Sequence, residues 1–391
     1  MTIKLLKDIV YISDGNYSSK YPRNDEFVTK GIPFIRANNL VDNTVVDYDM
    51  LFISQEKHKE LKKGHLKTND VLLTTRGNIG RVSIVPDKYN DANINAQIVL
   101  LRCDKNIILP SYLLYCLQSD FCQRQMEKLE TGTALKQLPV GRLSDLRINV
   151  VPIKEQEKIV KRLCVADSII RNHKTLLDNL ALLVKSRFIE MFGDVLKNNR
   201  NWDCSTIKKV AEVGSSKRIY AGEYVPAGIP FYRSKEIIEL SKGEAPKIEL
   251  FISKIRYEEI KEKYGIPQLG DILMTAVGTI GKFWVVDKTE PFYYKDGNVI
   301  YIRSTRFNKE FFRVLLENIV KDYKSNNANG SAYAALPIEK IKKMGVVIPP
   351  IELQNQFADF VAQVDKSKLA VQQSLKELET LKKSLMQQYF G

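Results

Sequence analysis

The sequence predicts an α+β protein built from two tandem copies of one unit. Residues 152–193 recur at residues 350–391, with matching proline, glutamine, lysine and serine positions and the same closing Phe-Gly pair. Both stretches have helical periodicity, whereas the segments before them contain β-rich runs bounded by glycine turns. A repeat as long as half the chain is too long for a solenoid, so we expect two equivalent units.

The first recurring stretch, residues 152–193, is predicted to be a long helix with the a/d spacing of a coiled-coil seam. Pro152 precedes the run and Gly193 closes it, as expected at helix ends. We interpret His173 as a polar residue that sets the register of the seam. The seam positions are Ile159, Leu163, Ala166, Ile170, His173, Leu177, Leu180 and Val184.

The second stretch, residues 350–391, keeps the same register. Its seam positions are Phe357, Val361, Val364, Val371, Leu375 and Leu378, and Lys368 and Lys382 interrupt them. Each helix of about 38 residues would be roughly 57 Å long. Two matching narrow seams are natural partners, so we expect the helices to pack on each other and act as a spacer. The alternative is that each is an amphipathic helix packed on its own domain.

The segments before the helices, residues 1–151 and 194–349, are diverged copies of one α+β domain. Between their shared anchors the match dissolves, which indicates one scaffold with different insertions. The anchors pair residues 31–40 with 228–237, 69–85 with 270–286, and 131–152 with 329–350.

Local patterns predict the main elements of each domain. Glycine-bounded turns at residues 77–80 and 278–281 indicate β-hairpins. The first hairpin would use strands at residues 71–75 and 81–85; further strands are predicted at 94–102 and 298–303, and amphipathic helices at 110–129 and 309–323.

The composition is that of a globular protein, with 44% hydrophobic and 27% charged residues. The N-terminus carries charges where a signal peptide would need an apolar run, and no uncharged apolar stretch approaches membrane-spanning length. We therefore expect a soluble, cytoplasmic protein. The five cysteines are odd in number and form no C-x-x-C pair, which favours buried thiols over a disulfide framework or a zinc site.

The net charge of +14 falls mostly in the two segments before the helices, which suits a polyanion held by the globular domains. Catalytic motifs do not emerge. The string at residues 278–283 fails the P-loop pattern in spacing and final hydroxyl, and no G-x-S-x-G elbow occurs. The Pro349-Pro350 pair opens a helix rather than following a methyltransferase strand, and Glu259-Ile260-Lys261 lies in a Lys/Glu-rich helix. We expect a binding protein with no catalytic residue and no metal.

The duplicated order of domain, long helix, domain, long helix resembles the DNA-specificity (S) subunit of type I restriction-modification enzymes. The resemblance covers essentially the whole chain. It includes the Gly-Ile-Pro-Phe anchors, the Thr-Gly-Thr or Asn-Gly-Ser strings followed by Leu-Pro, and the glutamine in the first turn of each helix, Gln156 and Gln354.

The resemblance implies two target-recognition domains, at residues 1–151 and 194–349, and two helical spacers, at residues 152–193 and 350–391. Each domain would read one half of a split double-stranded DNA site, and the helices would pack as an antiparallel coiled coil with pseudo-two-fold symmetry. They would dock two modification (methyltransferase) subunits, joined by restriction (translocase/nuclease) subunits in the full complex. The chain itself would bind no cofactor; S-adenosylmethionine, ATP and Mg would belong to the partners.

Arg76, beside the first hairpin turn, is the strongest candidate for contact with DNA, because arginine can bind guanine O6/N7 bidentately or clamp a phosphate. Its counterpart is Val277, so this role would not be shared by both copies. Other polar and basic loop residues suit bases or phosphates. The full set is Lys20, Arg23, Arg36, Asn38, Arg76, Asn78, Lys217, Arg218, Arg233, Lys235 and Thr279.

Two alternatives remain open. The duplicated helices could recruit two partner proteins without DNA, in which case the assembled complex would not bind duplex. The chain could also be a nuclease or fused methyltransferase with an unrecognised site, which an assay of the purified chain for cleavage or methyl transfer would reveal.

Overall fold

The computed structural model describes residues 2–15, 20–132, 136–326 and 335–391. The chain forms two compact units. Unit 1 is Met1–His173 together with Ser374–Gly391, and unit 2 is Lys174–Gln373. The four-segment division inferred from the repeat stays a prediction. Helices and sheets are mixed throughout, which confirms the α+β class.

Unit 1 contains a large sheet of order β2-β11-β8-β9-β6-β5, a small sheet of order β10-β4-β7-β3, and the pair β1-β12. The strands are β1 (Thr2–Leu5), β2 (Val10–Asp14), β3 (Phe27–Val28), β4 (Ile32–Ile35), β5 (Leu40–Val41), β6 (Thr44–Val45), β7 (Leu51–Ile53), β8 (Val71–Thr74), β9 (Val82–Ile84), β10 (Asn93–Ile94), β11 (Ile98–Cys103) and β12 (Arg147–Val150). The helices are α1 (Gln55–Glu60), α2 (Pro110–Gln118), α3 (Asp120–Leu129), α4 (Val140–Leu143) and the long α5 (Ile153–Phe192), which continues into unit 2.

Unit 2 repeats this plan with sheets of order β14-β21-β18-β19 and β15-β17-β16-β20 and the pair β13-β22. The strands are β13 (Asp203–Thr206), β14 (Glu212–Ser215), β15 (Tyr224–Val225), β16 (Ile229–Tyr232), β17 (Phe251–Ile252), β18 (Ile272–Thr275), β19 (Phe283–Val285), β20 (Tyr293–Tyr294), β21 (Val299–Arg303) and β22 (Gly345–Ile348). The helices are α6 (Ile207–Val210), α7 (Ser234–Leu240), α8 (Lys254–Tyr264), α9 (Lys309–Asn326), α10 (Ile338–Lys343) and the long α11 (Ile351–Phe390), which ends in unit 1.

The sheet that contains β8 in unit 1 and the sheet that contains β18 in unit 2 are covered on both faces at these strands, because successive residues of a strand point to opposite sides. In β8, Val71 and Leu73 pack with the α2 side of the core, while Leu72 packs with Ile35 and Leu40 on the other side. In unit 2 the residues of β18 divide between two core clusters in the same way. This explains why the strands read as continuous apolar runs. The antiparallel pairing of β8 with β9 confirms the predicted hairpin.

Two predicted elements are interrupted in the structure. The helix expected at residues 110–129 is broken at Ser119, whose extended backbone ends α2 and whose hydroxyl accepts the N–H of Cys122 to cap α3. The strand expected at residues 94–102 is broken after Ile94. Its first part pairs with β4 in the small sheet and its second part with β2 and β8 in the large one. The chain crosses between sheets at this point.

The two long helices each span 40 residues, about 60 Å at the helical rise, as predicted. In unit 1, Phe390 of α11 is buried beside Tyr112, with ring centroids 5.2 Å apart, and Arg162 of α5 donates to the hydroxyl of Tyr389 at 2.7 Å. The C-terminal end of α11 therefore completes the core of unit 1. Within the described residues, no helix is both long and apolar enough to cross a membrane.

In unit 2 the remaining halves of the helices meet around an aromatic cluster. Phe188 and Phe192 of α5 lie 5.4 and 5.6 Å from Phe357 of α11, and Phe311 of α9 lies 4.6 Å from Phe192. Such pairs contribute roughly 0.5–1.5 kcal/mol each beyond their burial.

The predicted seam positions are shielded from solvent to different degrees. Those nearest the globular parts are buried: Ile159, Leu163, Ala166, Ile170, Val184, Phe357, Val361 and Val364. Those in the middle of the helices are half-buried: His173, Leu177, Leu180, Val371, Leu375 and Leu378. His173 hydrogen-bonds the carbonyl of Ile169 in its own helix, so its role in setting register stays a prediction.

Candidate nucleic-acid interface

Each unit presents a tight turn between two buried strands. The turn is residues 77–80 between β8 and β9 in unit 1 and residues 278–281 between β18 and β19 in unit 2. The flanking glycines have φ of 71° and 84° in the first turn and 72° and 78° in the second. Because residues with a Cβ rarely adopt this left-handed conformation, glycine at both ends gives the two copies the same turn backbone.

A buried threonine braces each turn. The Thr74 hydroxyl donates to the carbonyl of Asn78 and accepts the N–H of Arg81 at 3.0 Å. Thr275 makes the same two contacts in unit 2. The side chains of the turn therefore project from a fixed backbone, which is the condition for specific recognition by a loop.

The two turns differ in the side chains they present. Arg76, just before the first turn, and Asn78, within it, are exposed; the matching residues of the second copy are the half-buried Val277 and the exposed Thr279. One scaffold therefore carries a cationic arginine and an amide in one copy, and an apolar residue and a hydroxyl in the other.

Arg81 links the first turn to the loop that carries Asn38, although it was not among the predicted contact residues. Its guanidinium donates to the carbonyls of Ala37 and Leu40, both at 3.3 Å. The basic residue Lys282 occupies the matching position in unit 2 and is exposed. In the sequence, a basic residue directly after each glycine turn was the pattern that could have identified Arg81 and Lys282.

The third sequence anchor lies beside the turn. The N–H of Leu138 donates to the carbonyl of Thr75, and the N–H of Leu336 donates to that of Ala276, both at 2.9 Å. Of the strings that carried the resemblance, Thr133 and all of Asn-Gly-Ser lie outside the described residues, which omit 133–135 and 327–334.

Arg36 and Arg233 are committed to ion pairs within their own units. Arg36 bonds the carboxylate of Asp49 at 2.8 Å, and Arg233 bonds Glu249 at 2.8 Å and the buried Glu236 at 2.7 Å. The Arg36–Asp49 and Arg233–Glu249 pairs tie the residue after β4 or β16 to the segment before β7 or β17, the neighbouring strand in the same sheet. A contact with DNA would therefore have to replace or share an existing partner, which the sequence did not reveal.

Lys235 shares Glu249 with Arg233. The ammonium of Lys235, assisted by the guanidinium, lowers the pKa of the Glu249 carboxyl to about 2. Both cations thus face a fixed negative charge, and their net contribution to a positive surface is reduced.

The remaining predicted residues lie at the start of each domain. Lys20 and Arg23 are exposed before β3, at the edge of the small sheet of unit 1. Lys217 and Arg218 are exposed in the matching place before β15, where Arg218 forms an ion pair with Asp296 at 2.8 Å. Exposure suits contact with phosphates, and their role in binding stays a prediction.

The glutamines in the first turns of the two long helices, Gln156 and Gln354, are buried, and each acts as a clamp that hydrogen-bonds neighbouring segments of its domain. The Gln156 carbonyl oxygen accepts the N–H of Leu109, and its amide donates to the carbonyls of Ile107 and Val151, at 2.8–2.9 Å. Gln354 contacts the segment before α9 and the end of the preceding strand in the same way. Each glutamine thereby fixes the direction in which a long helix leaves its domain.

A second feature found in both units is an ion pair between an aspartate just before β8 or β18 and an arginine of β11 or β21. Buried Asp70 receives two hydrogen bonds from Arg102 at 2.7 and 2.8 Å, and buried Asp271 receives two from Arg303 at the same distances. The aspartate raises the pKa of each partner guanidinium. These arginines are structural, so they are not available to a ligand.

Lys382, one of the two lysines that interrupt the second seam, has a defined role in unit 1. Lys382 of α11 forms an ion pair with Asp167 of α5, which also accepts hydrogen bonds from Tyr115 at 2.8 Å and Asn43 at 3.1 Å. Burial is the main cause that raises the pKa of the Tyr115 hydroxyl. The sequence showed Lys382 only as a break in the apolar pattern.

Residues 1–182 and residues 199–380 each match the family model for the type I restriction modification DNA specificity domain. The two matches cover most of the chain, and they place one copy of the domain in each half. The chain therefore belongs to the type I restriction-modification specificity subunit family, whose target recognition domains bind DNA.

Relatives and solved structures agree with this assignment. The chain is 23% identical over 415 residues to the type I restriction enzyme MjaIX specificity subunit of Methanocaldococcus jannaschii, covering 98% of this chain and 91% of the relative. It is 28% identical over 180 residues to the EcoBI specificity subunit of Escherichia coli, covering 45% and 37%. Its fold is similar to the crystal structure of the type I restriction-modification S subunit from M. genitalium, with a TM-score of 0.59, 16% identity and 100% and 96% coverage. A structure from a study of complex assembly of the type I R-M system has a TM-score of 0.57, 15% identity and 100% and 97% coverage.

Proposed function

We propose that this chain reads a bipartite, asymmetric DNA site, one half with each recognition domain, and docks methyltransferase subunits without catalytic activity of its own. The observation that carries the proposal is a duplicated scaffold whose turns present different side chains. The braced glycine turns are alike in the two copies, whereas their side chains differ: Val277 occupies the position of Arg76, and Thr279 occupies the position of Asn78. Equivalent scaffolds with unlike contact residues suit two half-sites of different sequence.

The long helices support the spacer role. In unit 1 the first half of α5 packs with the end of α11, and in unit 2 the second half of α5 packs with the start of α11. This pattern of contacts favours an antiparallel pair with pseudo-two-fold symmetry. Duplex DNA has the same symmetry in its backbones, so two related domains can address two half-sites.

Apolar side chains along the helices suit docking of protein partners. Leu182 and Leu183 of α5 and Leu369 of α11 are 60%, 47% and 64% exposed. S-adenosylmethionine, ATP and Mg would act on the partner subunits, consistent with a chain in which sequence motifs for these ligands were not found.

The test is to express the chain with its modification subunits and map methylated adenines in the host genome. We expect a split motif with a fixed unread gap. Replacing residues 1–151 with the matching domain of a relative should change only one half of the motif. A change in both halves, or methylation without a split motif, would refute the bipartite reading.

A further inference from the structure

Two of the three histidines meet an aspartate in unit 1. His58 lies on α1, His65 follows in the next loop, and Asp91 lies just before β10. The Nε2 atom of His58 is 3.4 Å from an Asp91 carboxylate oxygen, and the Nδ1 atom of His65 is 3.9 Å from the other. The imidazole rings are edge to face with centroids 4.5 Å apart. One potential ligand atom from each residue lies within 4.8 Å of the other two.

The outward ring nitrogens of both histidines already have acceptors. His58 Nδ1 contacts the side-chain oxygen of the buried Asn93, and His65 Nε2 contacts the carbonyl of Leu61. The backbone carbonyl of Leu61 can only accept, so the neutral ring of His65 carries its proton on Nε2. The same argument assigns the His58 proton to Nδ1 with the Asn93 amide in its assigned orientation, in which the amide nitrogen is buried without a hydrogen-bond partner among the described residues. The lone pairs are therefore left on His58 Nε2 and His65 Nδ1, the two atoms that face Asp91. Metal-binding histidines in proteins are oriented by the same kind of second contact.

Backbone hydrogen bonds hold Asp91 in this position. Its N–H donates to the carbonyl of Leu66 at 2.8 Å, and the N–H of Leu66 donates to the carbonyl of Ala92 at 2.9 Å. Asp91 has φ of 66°, a left-handed conformation that aspartate tolerates better than most residues. The carboxylate is thus placed beside His65 by main-chain pairing rather than by chance contact of flexible side chains.

We propose that His58 Nε2, His65 Nδ1 and the Asp91 carboxylate bind a divalent transition-metal ion, with Zn²⁺ as the preferred ion and water as the fourth ligand. Two imidazoles and a carboxylate are ligands typical of zinc. Tetrahedral bonds of about 2.0–2.2 Å place ligand atoms roughly 3.3 Å apart, so closure requires small shifts of side chains. The His65 and Asp91 side chains, 34% and 64% exposed, can make these shifts while the buried His58 stays fixed.

Among the described residues, the cluster occurs in unit 1 and is not repeated in unit 2. Ser54 caps α1 and Ser253 caps α8, which places Tyr257 where unit 1 has His58. Arg102 contacts the carbonyl of His65, and the matching arginine of unit 2 contacts that of Ile266. Two of the three ligands therefore have no counterpart in unit 2. The ion would join the loop after α1 to the segment entering β10, stabilising the small sheet that leads to Arg36 and Asn38.

The experiment uses the full chain without a histidine tag, freed of metal by a chelator and titrated with Co²⁺ followed by Zn²⁺. We expect one Co²⁺ per chain with the visible absorption of tetrahedral coordination, and displacement by Zn²⁺. His65→Gln and Asp91→Asn should each weaken binding at least about tenfold. Both residues are partly or largely exposed, and circular dichroism would verify that the variants fold.

His173→Gln is the matched control, because His173 is the third histidine of the chain and lies on α5, outside the His58–His65–Asp91 cluster. It should bind Co²⁺ like the unaltered chain. Octahedral Co²⁺ spectra, less than one ion per chain at saturation, or equal losses in His65→Gln and His173→Gln would overturn the proposal.

Discussion

Replacing Gln354 with alanine should destabilise unit 2 through loss of the buried clamp. Gln354 is 1% exposed, accepts the N–H of Asn308 at 2.9 Å and donates to the carbonyl of Pro349 at 2.8 Å. A buried polar group left without its partner costs about 1–3 kcal/mol, so the two contacts together predict a loss of about 2–6 kcal/mol. At about 2 kcal/mol per molar urea, the unfolding midpoint should fall by about 1–3 M.

Tryptophan fluorescence is the assay, because Trp202 and Trp284 are the two tryptophans of the chain and both lie in unit 2. Gln363→Ala is the matched control. Gln363 is exposed on the same helix, and its replacement should change stability by less than about 0.5 kcal/mol. Equal midpoints for the two variants would refute the clamp. In unit 1, Gln156→Ala should increase hydrogen exchange at the Leu109 amide, which loses its acceptor.

Three further predictions concern binding, the buried ion pair and acid titration. Arg76→Ala should weaken DNA binding by about 1–3 kcal/mol if Arg76 contacts a base, or lower the slope of log binding constant against log salt concentration by about 0.9 if it contacts a phosphate. The control Lys154→Ala on α5 should change neither quantity. Titration of the assembled complex with DNA at several salt concentrations would measure both. Asp271→Asn should destabilise unit 2 by about 2–4 kcal/mol, because it removes the buried carboxylate of the Arg303 ion pair and leaves the exposed Glu212, 3.8 Å away, as the remaining acidic partner. An unchanged tryptophan midpoint would contradict this. Carbon-13 NMR should find a pKa of about 2 for the Glu249 carboxyl. The stability that its ion pairs contribute is then present above pH 4.5 and is lost as the pH falls towards 2. A measured pKa near 4.5 would show that the ion pairs do not persist in solution.

Patterns that depend on neighbouring residues predicted the fold well. The long helices and the hairpin at Gly77 follow from periodicity and turn chemistry, which act over a few residues. Ser119 broke a predicted helix because a serine is tolerated inside a helix but also caps a new one. The repeat identified Gln156 and Gln354, although only the structure gives their buried partners.

The candidate site was harder to predict, because the partners of charged residues are distant in sequence. Arg36 and Arg233 looked available for DNA until folding brought Asp49 and Glu249 to them. No sequence pattern indicates that Asp91 would meet the histidines, since that contact depends on strand pairing around β10. Basic residue counts therefore overestimate the charge that a domain can offer to a polyanion.

The discontinuous core of unit 1 has a consequence for synthesis on the ribosome. Phe390 fills that core, and residues 374–391 are translated only after the whole of unit 2. At roughly 5–20 residues per second, the intervening segment takes about 10–40 s to make. We expect the nascent N-terminal half to expose the apolar surface around Tyr112 during this time, as a surface that chaperones could bind.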